Sequence, residues 1–275
     1  MAPAWAADVP DHPGRADNMP RFAANLTLLF NEVPFDERFG AARQAGFEGV
    51  EYLFPYAWPE TMLAQRLRDH GLTQVLFNLP PGDWDAGERG IACLPGREEE
   101  FRAGVDEAIR YARALGCERL NCLAGVVPPR AEWEQLWDTL RENVTYAAGR
   151  LAEEGIVLCL EAINSRVDMP GFLLDSSGKV LRLIDEVGAG NLRLQYDLYH
   201  MQIMEGDLIR TLQRHMSRIG HIQFADNPGR HEPGTGEINF RSIFEALDKA
   251  GYAGWVSAEY RPKASTGEGL GWMLE

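Results

Sequence analysis

The chain has 275 residues, is 45% apolar and carries a formal net charge of −14. That length can bury a large core in one domain, as α/β barrels of roughly 250 residues do. The acidity opposes binding to nucleic acid or to an anionic membrane, both of which need cationic surface. No apolar run approaches the roughly 20 residues of a membrane span. Residues 1–18 are rich in Ala, Pro and Asp and lack both the basic start and the apolar core of a secretory signal. They read as a disordered extension, with residues 19–275 as a single barrel domain. Cys93, Cys117, Cys122 and Cys159 form neither a zinc-like pair nor a disulfide-dense pattern, which points to reduced core thiols and a cytoplasmic setting.

In chain order, residues 22–29 read as a first strand, and residues 35–45 have helical spacing that closes at Gly46. Residues 50–54 and 72–77 read as strands two and three, with a helix over 60–69 between them. A long loop with Gly, Pro and Asp fills 78–95; loops of that length are often functional. A helix over 97–115 follows, with Glu98, Glu99 and Glu100 in its first turn, where the macrodipole favours them. Residues 119–123 form strand four and 131–154 the next helix.

Strand five is the apolar run from Ile156 that ends in Glu161; such a continuous run suits a strand covered on both faces. A helix over 175–187, strand six ending at Asp197 and a helix over 207–217 come next. Strand seven carries Gln223, residues 240–250 are helical, and strand eight closes at Glu259. Eight strand-helix units without a composition break predict an α/β fold, a (β/α)8 TIM barrel in one domain. A doubly wound dinucleotide fold would want GxGxxG after the first strand, and none is there.

Catalytic groups of a TIM barrel lie at the C-terminal ends of its strands. Glu161, Asp197, Gln223 and Glu259 arrive there from four consecutive strands. A lone carboxylate in such a place can be a loop cap or a structural ion pair. Several together would repel in a buried site, and a cation resolves the repulsion. An all-oxygen donor set selects Mg²⁺ or Mn²⁺ over zinc or copper. Glu161 and Glu259 could approach a substrate from opposite sides, one removing a proton and the other returning it. The reaction class is isomerisation by proton transfer alpha to a carbonyl through an enediolate.

The segment Ile219-Gly-His-Ile-Gln-Phe-Ala-Asp-Asn-Pro-Gly-Arg-His-Glu-Pro-Gly-Thr-Gly-Glu-Ile238 resembles the hydroxypyruvate isomerase family of xylose-isomerase-like barrels. So do Leu158–Glu161, Gln195–His200, Gly87–Arg97 and Ala258–Pro262. The resemblance implies a metal-dependent interconversion of hydroxypyruvate and tartronate semialdehyde. It matches Glu161, Asp197, Gln223 and Glu259 to metal ligands and Glu161 and Glu259 to the proton-transfer pair. Phe77-Asn78-Leu79 and Ala124–Pro128 also resemble the neighbouring 2-oxo-tetronate isomerases, which act on a longer keto acid.

The implied partner is a small hydroxy-keto acid; the oligomeric state, a homo-oligomer included, stays open. Arg230 and His200 are the candidates for holding the acid's carboxylate or hydroxyls, against the plainer readings of a surface arginine and a capping histidine. Glu51 and Asn78 join them as candidate substrate contacts, although Glu51 could equally form a buried ion pair. His221 shares a strand face with Gln223 and is expected to support the ligands from behind. Trp84 and residues 54–56 could exclude water from above or simply pack. A metal-dependent nuclease on the same barrel would want a histidine-rich site and a basic groove; six His and the acidic charge oppose it.

Overall fold

The computed structural model describes residues 20–274, so the extension expected over 1–18 lies outside the described residues. Eight parallel strands close into a barrel in sequence order, with β8 pairing back onto β1. They are β1 (Arg21–Asn25), β2 (Gly49–Glu51), β3 (Thr73–Asn78), β4 (Arg119–Cys122), β5 (Val157–Glu161), β6 (Leu192–Asp197), β7 (Ile219–Phe224) and β8 (Trp255–Ala258). Outside them run α1 (Arg38–Gln44), α2 (Glu60–His70), α3 (Glu98–Leu115), α4 (Trp133–Glu153), α5 (Ser177–Val187), α6 (Leu198–Met204), α7 (Leu208–His215) and α8 (Phe240–Lys249). Among the described residues no helix is long and apolar enough to cross a membrane.

Three expectations need correction. The first strand stops at Asn25 rather than running to residue 29, because the Asn25 side chain accepts from the backbone N–H of Thr27 and turns the chain. Helix α6 was not foreseen: its start is capped by Asp197, the same residue that ends β6, so strand and helix share one polar residue with no turn signal between them. The eighth unit lacks its α-helix, and a 3-10 run over Gly267–Leu274 closes the chain against the barrel.

Apolar packing falls into two unequal parts. The larger fills the space between barrel and helices, and the smaller, built on Ala23, Val75, Leu76, Cys159 and Trp255, floors the barrel. Gly49 sits where a side chain would meet Trp255 and Val75 at under 3 Å, which lets the indole cross the floor. Above that floor the interior is polar, carrying Asn25, Glu51, Asn121, Glu161, Gln195, Asp197, His221, Gln223, Ser257 and Glu259, all buried. Register shifts interrupt the β2–β3 ladder at Val50/Glu51 and the β6–β7 ladder at Leu194/Gln195, next to residues that turn inward. All four cysteines are buried and unpaired, and burial pushes each thiol up to about 12.

Candidate active site

Ligand atoms of Glu161, Asp197, His200 and Glu259 lie within 4.8 Å of one another at the C-terminal end of the barrel, and all four residues are buried. Glu161 ends β5, and Glu259 follows β8 directly, its N–H donating to Phe224 of β7. Asp197 spends Oδ1 on capping α6, accepting from the N–H groups of Tyr199 and His200 at 2.7 and 3.2 Å. Its Oδ2 is buried with no hydrogen-bond partner. An orphaned carboxylate oxygen among two further carboxylates is what a hard cation would satisfy.

Electrostatics support that fit. Burial pushes the Glu161 carboxyl well above the ordinary range, and the neighbouring Glu259 and Asp197 push it further. Glu259 is raised to about 8 by burial, against the pull of Arg230. Burial lowers His200 to about 4, so the ring is neutral at pH 7. The His200 Nε2 faces Glu161 Oε1 and Asp197 Oδ2, each at 3.8 Å.

The β8 side is densely bonded. Arg230 Nη2 donates to Glu259 Oε2 at 2.7 Å, while Asn25 and Gln223 donate to Glu259 Oε1 at 3.0 and 3.1 Å. Arg230 is held there by a loop built on the buried Asp226 carboxylate, which accepts from the N–H groups of Asn227, Gly234, Gly236 and Ile238. That loop keeps Arg230 at φ +58°, a left-handed conformation costing a non-glycine residue on the order of 1 kcal/mol.

Residues 39–275 match the family described as xylose isomerase-like TIM barrel. The chain belongs to this family. Hydroxypyruvate isomerase of Escherichia coli K12 is 53% identical over 255 residues, which cover 93% of this chain and 98% of that protein. The 2-oxo-tetronate isomerase of Cupriavidus necator is 48% identical over the same shares. The crystal structure of an AP endonuclease, family 2, from Brucella melitensis superposes with a TM-score of 0.91 at 47% identity, covering 93% of this chain and 98% of that one.

In this xylose isomerase-like barrel the strand-end residues singled out by sequence converge, with differing geometry. Gln223 touches the cluster as a donor: its Nε2 serves Glu51 and Glu259, and its Oε1 accepts from Gln195 at 2.7 Å. Glu51 lies beneath, with Oε1 accepting from Asn25 and Gln223 and Oε2 paired with His221 Nε2 at 2.7 Å. Burial opposes its ionisation, but His221, Gln223 and Ser257 hold the Glu51 carboxyl below the usual range. Asn78 accepts from Asn121, which also reaches Glu161 Oε2 at 3.3 Å. Phe54 packs edge-on against Trp84, whereas Tyr56 donates to the Asn78 carbonyl and packs on Phe77 and Tyr111.

Sequence reasoning passed over Asn25, Asn121, Asn164 and Asp168. Asn25 and Asn121 are inward residues at or near strand ends, and that position was the available signal. Asn164 and Asp168 sit on the loop after β5 and gave no periodic signal.

Proposed function

We propose that this protein is a divalent-metal-dependent isomerase that interconverts hydroxypyruvate and tartronate semialdehyde through an enediolate. The observation that carries the reading is the buried cluster of Glu161, Asp197 and Glu259 with its unpartnered Asp197 Oδ2, beside the cationic Arg230. The 53% identity to a hydroxypyruvate isomerase supports the choice of acid. Glu161, Asp197, Gln223 and Glu259 would hold Mg²⁺ or Mn²⁺; for Gln223 this requires its amide to turn and present Oε1. Bound there, the cation would polarise the substrate carbonyl and stabilise the charge that develops on its oxygen.

The chain's own residues account for the proton traffic. One of Glu161 and Glu259 takes a proton from C3 of hydroxypyruvate and the other delivers a proton to C2, while the hydroxyl proton passes from O3 to O2. Burial raises the proton affinity of both carboxyls, which suits the half of the exchange in which a carboxylate takes a proton from carbon. Arg230 is the cation an incoming carboxylate meets, and neutral His200 offers a ring N–H to a substrate oxygen.

The 48% identity to a 2-oxo-tetronate isomerase favours a second reading in which the same chemistry acts on a longer acid. A coupled assay of each acid with Mg²⁺ or Mn²⁺ tests both, and turnover of neither would sink the isomerase reading. A nuclease reading, suggested by the name of the Brucella melitensis protein, is opposed by the −14 charge. It predicts retarded DNA migration at moderate salt, and we expect none. The setting we infer is cytoplasmic, with no nucleic acid or membrane partner.

A further inference from the structure

His200 and Arg230 stand on different elements, and a single loop ties them together. The Asn164 Oδ1 accepts from the backbone N–H groups of Val167 and Asp168 at 2.9 and 3.0 Å, which fixes the orientation of its amide. Both hydrogens of Nδ2 are therefore committed elsewhere, one toward Asp168 Oδ2 and one toward His200 Nδ1, each at 2.7 Å. An amide N–H can only donate, so His200 Nδ1 must accept and the ring proton must sit on Nε2. That Nε2 is the atom aimed at Glu161 and Asp197. Carrying hydrogen, it has no lone pair for a cation and serves as a donor to a substrate oxygen instead.

Asp168 extends the tie to the arginine. Its Oδ2 also accepts from the Tyr199 hydroxyl at 2.8 Å, and its Oδ1 accepts from Arg230 Nη1 at 3.3 Å. The Arg230 guanidinium lies over the Tyr199 ring, 5.3 Å from its centroid. One carboxylate thus fixes the amide that sets the histidine tautomer and the guanidinium that faces Glu259.

We propose that Asn164 and Asp168 are positioning residues: Asn164 locks His200 as the Nε2–H tautomer, and Asp168 aligns that histidine with Arg230 so that both donors address one substrate. The kinetic half of this proposal rests on the isomerase reading; the tautomer half does not.

Long-range ¹H–¹⁵N correlation on the full chain loaded with diamagnetic Mg²⁺ reports the tautomer, with a His200 variant assigning the signal. We expect Nδ1 unprotonated and Nε2 protonated; a protonated Nδ1 overturns the proposal. In Asn164→Leu, mixed tautomers and a fall in kcat/KM of about tenfold are expected from the lost donor. An unchanged tautomer with unchanged kcat/KM overturns it. Should that variant not fold, the wild-type tautomer and Asp168→Asn decide. Asp168→Asn is expected to keep the tautomer, raise KM about tenfold and change kcat less than about threefold, because it uncouples Arg230. An unchanged KM there overturns the link to Arg230. Wild-type protein inactive on both acids with the expected tautomer would retire the isomerase reading and leave the histidine lock standing.

Discussion

The β5 side and the β8 side of the site each present one buried glutamate, and the two are furnished very differently. Glu161 receives one long hydrogen bond, from Asn121. Glu259 receives Arg230, Asn25 and Gln223. The same side chain is thus left nearly bare on one side and anchored on the other. The anchored carboxylate has a fixed place and charge partner, while the bare one depends on a proton or a cation for neutralisation.

The largest effect that probes this difference is on turnover. Glu161→Gln and Glu259→Gln are each expected to lower kcat by about a thousandfold or more while circular dichroism shows an intact fold. Retained activity in either would break the two-carboxylate scheme. Next comes cation affinity: Asp197→Asn keeps an oxygen for the α6 cap but replaces the orphaned Oδ2 with an NH2 group that cannot ligate a cation. We expect Mn²⁺ binding by titration calorimetry to weaken about a hundredfold.

Stability separates the two sides more sharply. Glu259→Gln strips the nearer of two carboxylates from a largely buried Arg230, leaving Asp168 at 3.3 Å, and should cost about 3 kcal/mol by chemical denaturation. Glu161→Gln removes a buried carboxyl whose ionised form has no close cationic partner and should leave the chelator-treated protein within about 1 kcal/mol of wild type, or above it. Equal losses would show that the donor count does not matter.

The smallest effect is a pH slope. Both carboxyls bind protons more tightly folded than unfolded, where about 4.3 is ordinary, and Glu259 reaches about 8. By linkage each contribution is fully present below about 4.3 and is lost as pH rises through the raised folded value, which is about 8 for Glu259. The melting point of chelator-treated protein should therefore decline from pH 5 to 8, less steeply in Glu161→Gln. The increment gained on adding Mg²⁺ should grow over the same window. A flat increment would argue against cation binding at these carboxylates.

The barrel was legible because every strand carries clustered or alternating apolar residues and most helices end at or next to a glycine such as Gly116, which adopts φ +62°. The carboxylate set was legible because Glu161, Asp197 and Glu259 terminate such runs. The amides were not, since Asn25 and Asn121 carry no charge to mark them and act only on residues that closure brings near. Helix α6 stayed hidden because Leu198–Met204 continues the apolar character of β6 without a break. The exchange of roles between the two ends of Gln223 is equally invisible in sequence, since both ends belong to one side chain.

The Asn25 amide bridges Glu51 and Glu259, spanning 234 residues of chain to the latter. A contact of such sequence separation forms only when the first and last strands zip together, the step with the greatest loop-closure entropy. During synthesis on the ribosome, then, the chain holds no complete cation cradle until β8 has emerged. On the reading that these carboxylates hold a cation, the onset of Mn²⁺ binding would mark barrel closure in refolding, a built-in timer readable by the ion's own paramagnetism.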